Sequence, residues 1–211
     1  MTPWTVETAL PAGFADRLQA LDRCGAPKSA YQAAFNDLVL QLKNQPRTGW
    51  VDRNVPNPES IADHMYRMAL MAWQIPTSVN RDVAIRTALV HDIAEAIVGD
   101  LTPYCGISSE EKHARERAAI QYMADLCKKF NPEFGAEILQ YWSDYETAAT
   151  PEALLIKDID KVELWDQTKS YERAHPDIDF SSFNGLTGRV VGDNAKDMIE
   201  GINLWHSTWK P

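Results

Sequence analysis

Cysteine is scarce in this chain, and its spacing does not make up for the scarcity. Cys24, Cys105 and Cys127 are odd in number and contain no CxxC pair. That argues against a disulfide framework and for a reducing compartment. Long apolar runs are missing too. No stretch approaches the ~20 residues that span a bilayer, so no membrane partner is expected. The opening MTPWTVETALPAGFADRL lacks a basic segment followed by an apolar one, so it does not read as a secretory signal. Positive charge is in deficit: 21 Lys and Arg against 30 Asp and Glu give −9. Such a surface repels phosphodiester backbones and excludes a nucleic-acid polymer as partner. Strand-like alternation is rare, and no internal repeat is evident. Together these absences point to a soluble all-α protein of the cytoplasm or nucleus.

Helical spacing fills the space they leave. Residues 12–23 suit a short amphipathic helix. Residues 29–43 place Ala33, Phe35, Leu38, Val39 and Leu42 roughly on one face. Residues 44–57, with two prolines and a glycine, read as a loop. At NPES, Asn57 can cap, Pro58 suits a first helical position, and Glu59 favours the positive end of the dipole. That helix is expected to run to Pro76. Others are expected over about 80–98, 110–130, 132–147, 151–174 and 193–209, with 175–192 irregular. No linker divides the chain. Residues 1–30 read as an N-terminal helical extension, 31–175 as the core, and 176–211 as a C-terminal loop and helix packed on it. A hydrophobic share of 45% suffices for a sizeable core.

The stretch LVHDIAEAIVGD, residues 89–100, is apolar enough to be buried yet contains His91, Asp92 and Glu95. Burying an ionised carboxylate without a partner is costly. On an α-helix His91 and Glu95 are four apart, and Asp92 and Glu95 three, so the side chains can converge. A divalent cation resolves the cost, because imidazole and carboxylate suit a first-row ion or magnesium. Further ligands must come from elsewhere. His64, early in the preceding helix, is one candidate. KDIDK, residues 157–161, offers Asp158 or Asp160, and spacing alone does not choose between them. Glu95 lies in reach of a water beside such an ion, which suits general acid/base work. His113, in the charged run EEKHARER, reads as solvated.

The three blocks RTGWVDRNVPNPESIADHMYRMAL, ALVHDIAEAIVGDLTP and LLIKDIDK, in this order, resemble the HD-domain metal phosphohydrolases, and among them the 5′-deoxynucleotidases. The resemblance covers roughly residues 33–175. It implies a compact HD-domain helical bundle with one divalent ion (cobalt, manganese or magnesium) between helices, held by His64, His91, Asp92 and Asp160. It implies hydrolysis of deoxyribonucleoside 5′-monophosphates to nucleoside and phosphate, and a homodimer. Asp100 resembles a residue that helps catalysis or contacts the sugar. Arg47 and Trp50 resemble an Arg and a Trp that contact phosphate and sugar, although RTGW separates here what bacterial members keep adjacent. A flat indole at the sugar's second carbon would disfavour a 2′-hydroxyl. The competing expectations are another HD phosphohydrolase, acting on a cyclic nucleotide or a nucleoside polyphosphate, and a non-catalytic helical binding module.

Overall fold

The computed structural model describes residues 3–76 and 78–209. Among them every extended regular element is a helix. The longer ones are α1 (Phe14–Cys24), α2 (Lys28–Val39), α3 (Ile61–Gln74), α4 (Arg81–Ala88), α5 (Ser109–Cys127), α6 (Pro132–Thr147), α7 (Pro151–Ala174) and α8 (Asp193–Ser207). Local chemistry sets their starts. The side chains of Asn80, Ser108, Asn131 and Thr150 each accept a first-turn N–H, and Pro132 and Pro151 follow their caps directly.

Two expected boundaries move. The helix expected to be capped by Asn57 starts instead at Ile61, with Ser60 and Asp63 forming a reciprocal capping box. The segment before it cannot be helical because its backbone is paired elsewhere. Arg47 N donates to Glu59 O, Ile61 N to Gln45 O, and Pro46 forms a β-bridge with Ser60. Asn57 itself is left-handed, at φ 48°. The helix expected over 80–98 stops at Ala88. Residues 90–97 instead wind tightly, with Ile93 N to Val90 O, Glu95 N to Asp92 O and Ala96 N to Ile93 O, before a short turn Glu95–Val98. Bonds of this i→i−3 kind eclipse side chains three apart, so they bring Asp92 and Glu95 to one side.

Helix α7 is central to the packing. It lies against α3, α4, α6 and α8. Ile156 and Ile159 of α7 meet Met68 and Ala72 of α3 and Ala84 and Ala88 of α4 in one buried cluster. A larger cluster joins α2, α5 and α6 through Leu38, Ile120, Met123 and Ile138. Where α6 crosses α5 the approach is close: a Cβ on Gly135 would stand 2.7 Å from the Ala124 carbonyl oxygen. Val162 and Trp165 of α7 pack on Ala195 and Ile199 of α8. No helix among the described residues is long and apolar enough to cross a membrane.

Candidate metal centre

The packing of α3, α4 and α7 brings together residues far apart in sequence. His64 sits in the second turn of α3, His91 and Asp92 follow α4, and Asp160 lies midway along α7. One ligand atom each from His64, His91 and Asp92 falls within a 4.8 Å group. His64 Nε2 is 3.8 Å and His91 Nε2 is 3.1 Å from Asp92 Oδ2. Asp160 Oδ1 is 3.3 Å from His64 Nε2. Both Nε2 atoms are buried and, among the described residues, have no partner in hydrogen-bond geometry. Two imidazole nitrogens left in this way beside two carboxylates suit a divalent cation.

The far side of each ring is fixed. His91 Nδ1 donates to Ala88 O at 2.9 Å. His64 Nδ1 donates to Glu163 Oε2 at 2.5 Å, and Oε1 of the fully buried Glu163 lies 2.8 Å from Arg67 Nη1 as an ion pair. These contacts hold each ring's orientation and leave Nε2 facing inward. Glu163 was not singled out from the sequence. The signal was there, because Ile156, Ile159 and Glu163 share the buried stripe of α7.

Electrostatics separate the carboxyl groups. Burial raises the pKa of Asp92, but His91, Arg47 and His64 outweigh it and hold the group well below the usual carboxylate range. Asp160 is likewise held low against burial, by His64 and His91. Burial and Arg47 depress His64, yet Asp160 and Glu163 prevail and leave it raised to about 9. Glu95 goes the other way: burial, then the charges of Asp92 and Asp100, push it well above its usual value. Its Oε2 is buried without a partner among the described residues, and Oε1 lies 3.9 Å from Lys112 Nζ. The choice between the two aspartates of KDIDK is resolved by direction. Asp158 turns away and accepts from Val191 N and Gly192 N.

Above these groups opens a cavity of about 480 Å³, lined by Arg47, His91, Asp92, Glu95, Asp100, Asp160 and residues of α5, α6 and α7. Arg47 Nη1 lies 3.2 Å from Asp92 Oδ2. Asp100 accepts from Thr48 N at 2.6 Å, so it also anchors the RTGW turn at the cavity edge. Trp50 is not brought into this cavity. It is 1% exposed, packs on Tyr171, Phe180 and Phe183, and donates its indole N–H to Glu59 at 2.9 Å. Its edge borders a smaller hollow of about 290 Å³ that shares Arg47 and Asp100 with the first. His113, expected in solvent, faces the cavity instead. It stacks on Trp142 and its Nδ1 lies 2.8 Å from Glu146.

The chain matches the family described as HD domain over residues 39–199. It is 40% identical to the 5′-deoxynucleotidase YBR242W of Saccharomyces cerevisiae, over 92% of this chain and 81% of that protein. It is 45% identical to the 5′-deoxynucleotidase HDDC2 of Xenopus laevis, over 84% and 87%. Among solved structures it resembles the HD domain-containing protein YGK1(YGL101W), at a TM-score of 0.72 and 28% identity, covering 97% of this chain and 98% of that one. With ligand-type residues of α3, α7 and the turn after α4 meeting at the floor of one cavity, and relatives of this closeness along most of its length, the chain belongs to the HD-domain family.

Proposed function

We propose that this protein is a metal-dependent 5′-deoxynucleotidase, which hydrolyses deoxyribonucleoside 5′-monophosphates to deoxyribonucleoside and phosphate. The observation that carries the reading is the pair of buried, partnerless Nε2 atoms of His64 and His91, converging on Asp92 at the floor of an open cavity. The names of the relatives supply the substrate class.

In this reading His64, His91, Asp92 and Asp160 hold one divalent ion, with cobalt, manganese and magnesium as the candidates. Such an ion supplies positive charge to a phosphoryl oxygen and acidity to water. Arg47, anchored on Asp92, presents its guanidinium to the phosphate. Glu95 takes the proton of the attacking water. It then returns a proton to the 5′-oxygen as the phosphorus–oxygen bond breaks. Asp100 holds the RTGW turn and faces the sugar. The nucleoside extends into the smaller hollow, whose lining includes Trp50, and contact with the indole there would disfavour a 2′-hydroxyl. Assembly as a homodimer and residence in the cytoplasm belong to the same proposal.

The test is phosphate release from ribo- and deoxyribonucleoside mono-, di- and triphosphates, with and without a chelator. Chelator-sensitive release from the deoxy monophosphates is the expected result. Release from polyphosphates or cyclic nucleotides alone would overturn the substrate class, and no release from any of them would overturn the enzyme.

A further inference from the structure

The cavity is rich in acid. Asp92, Glu95, Asp100, Glu116, Glu146 and Asp160 line it, against the cations Arg47, Lys112 and Lys157. A phosphate monoester carries two negative charges near neutral pH, so even beside a divalent ion it needs every cation not already committed. Arg47, 3.2 Å from Asp92, has part of its charge offset there. Lys112 donates to Leu101 O at 2.9 Å and lies 3.4 Å from Glu116 and 3.9 Å from Glu95. Lys157 differs. Among the described residues no carboxylate stands within ion-pair distance of it, and its ammonium rests 4.1 Å from the centre of the Tyr145 ring. The Tyr145 hydroxyl donates to Asp160 Oδ2 at 3.2 Å, so the same ring that supports Lys157 also steadies Asp160. Lys157 and Asp160 are three apart on α7 and share a face. Resting on an aromatic face leaves the ammonium its donors for a second partner.

We propose that Lys157 is a catalytic residue that binds the phosphoryl group, its ammonium donating to a non-bridging oxygen from α7 while Arg47 reaches the same group from the loop before α3. Lys157 neither gains nor loses a proton. The water oxygen bonds to phosphorus, the bond to the 5′-oxygen breaks, and the leaving oxygen is protonated. Throughout, Lys157 faces the charge carried by the equatorial oxygens. The inference rests on the phosphomonoesterase reading above.

The experiment compares the parent protein with Lys157→Met and Lys157→Arg, all loaded with manganese, by two readouts. One is kcat/KM on deoxyribonucleoside monophosphates. The other is calorimetric affinity for inorganic phosphate. The expected result is a loss of roughly 10- to 100-fold in phosphate affinity for Lys157→Met, at least as large a loss in kcat/KM, unchanged metal content, and recovery of most of both in Lys157→Arg. Phosphate bound as tightly by Lys157→Met as by the parent would overturn the assignment. So would loss of the metal in both variants, which would place the role in the ion site instead. If phosphate affinity falls as expected but the parent cleaves no deoxynucleotide, the deoxynucleotidase reading fails and Lys157 stands. If the parent turns over and neither readout moves in Lys157→Met, the Lys157 assignment alone fails.

Discussion

Replacing Glu163 with glutamine tests whether the buried contacts behind His64 set the affinity for the ion. Glutamine keeps the shape and one acceptor for His64 Nδ1–H, and removes only the charge that sits 2.5 Å away. That charge makes the ring a stronger donor of its Nε2 lone pair. Losing such a partner behind a ligating histidine costs about 10- to 100-fold in metal affinity, or ~1.4–2.7 kcal/mol at a tenfold change per 1.4 kcal/mol. The fold should bear the change. Arg67, the other partner of Glu163, keeps Asp166 at 2.5 Å and Gln167 at 2.6 Å and is partly exposed. The destabilisation is therefore expected to fall below the ~3–5 kcal/mol of a stranded buried charge. Competition against a chelator of known affinity, read beside a thermal melt of the ion-free protein, separates the two effects. Glu163→Leu, which also removes the acceptor and frees the ring, should lose more affinity than Glu163→Gln. A glutamine variant that folds and holds the ion as tightly as the parent would refute the reasoning.

Other outcomes follow from the same structure. Gly135→Ala should destabilise, because its Cβ would press on the Ala124 carbonyl at 2.7 Å. Overpacking of this kind costs ~1–3 kcal/mol against a helix-propensity gain of at most ~1 kcal/mol. A melting temperature equal to or above the parent's would contradict it. Trp50→Ala should lose stability by ~3–5 kcal/mol through the cavity it leaves, so sugar selection is better tested with Trp50→Phe. An unchanged deoxy-to-ribo ratio in a folded Phe variant would remove Trp50 from that role. Burial pushes the Cys127 thiol up to about 12, which keeps it protonated and unreactive at pH 8, whereas Cys24 and Cys105 are exposed. A thiol reagent should accordingly label only the latter two until denaturant is added. Modification of all three in the native protein would show that α5 opens. Glu95→Gln should keep the ion and lose most turnover; a variant that purifies without metal would reassign Glu95.

Of the proposed ligands, His91 and Asp92 stood out because they broke a local rule, while His64 and Asp160 were picked out only by the resemblance of their sequence blocks. His91 and Asp92 lie in an apolar run, and Asp160 sits on the edge of a buried stripe. The choice between Asp158 and Asp160 was not legible from spacing. It depends on residues 191 and 192, whose backbone amides claim Asp158 from beyond the helix. Asn57 and Pro58 form a good local helix start, but pairing of residues 59–61 with 45–47 overrides it, and a one-dimensional pattern does not show such pairing. The break after Ala88 was hidden for a related reason, since a tight turn and an α-helix share the same apolar spacing over so few residues. Trp50 looked like a ligand contact because, in the loop before the His64 helix, it resembles a Trp that contacts the sugar in related sequences. Its burial comes from Phe180 and Phe183, more than a hundred positions away. His113 looked solvated because its helix neighbours are charged, and only the packing of α6 against α5 puts Trp142 and Glu146 beside it.

The partner that steadies His64 stands 99 positions downstream of it. A ribosome therefore releases His64, His91 and Asp92 well before α7 exists. During that interval α3 and α4 have no third wall, and the two imidazoles and the aspartate remain open to water. On the proposed ligand set, the site closes around a cation only in the last third of synthesis, and a truncation ahead of residue 160 yields a polypeptide with the HD pair but without the carboxylate that α7 contributes.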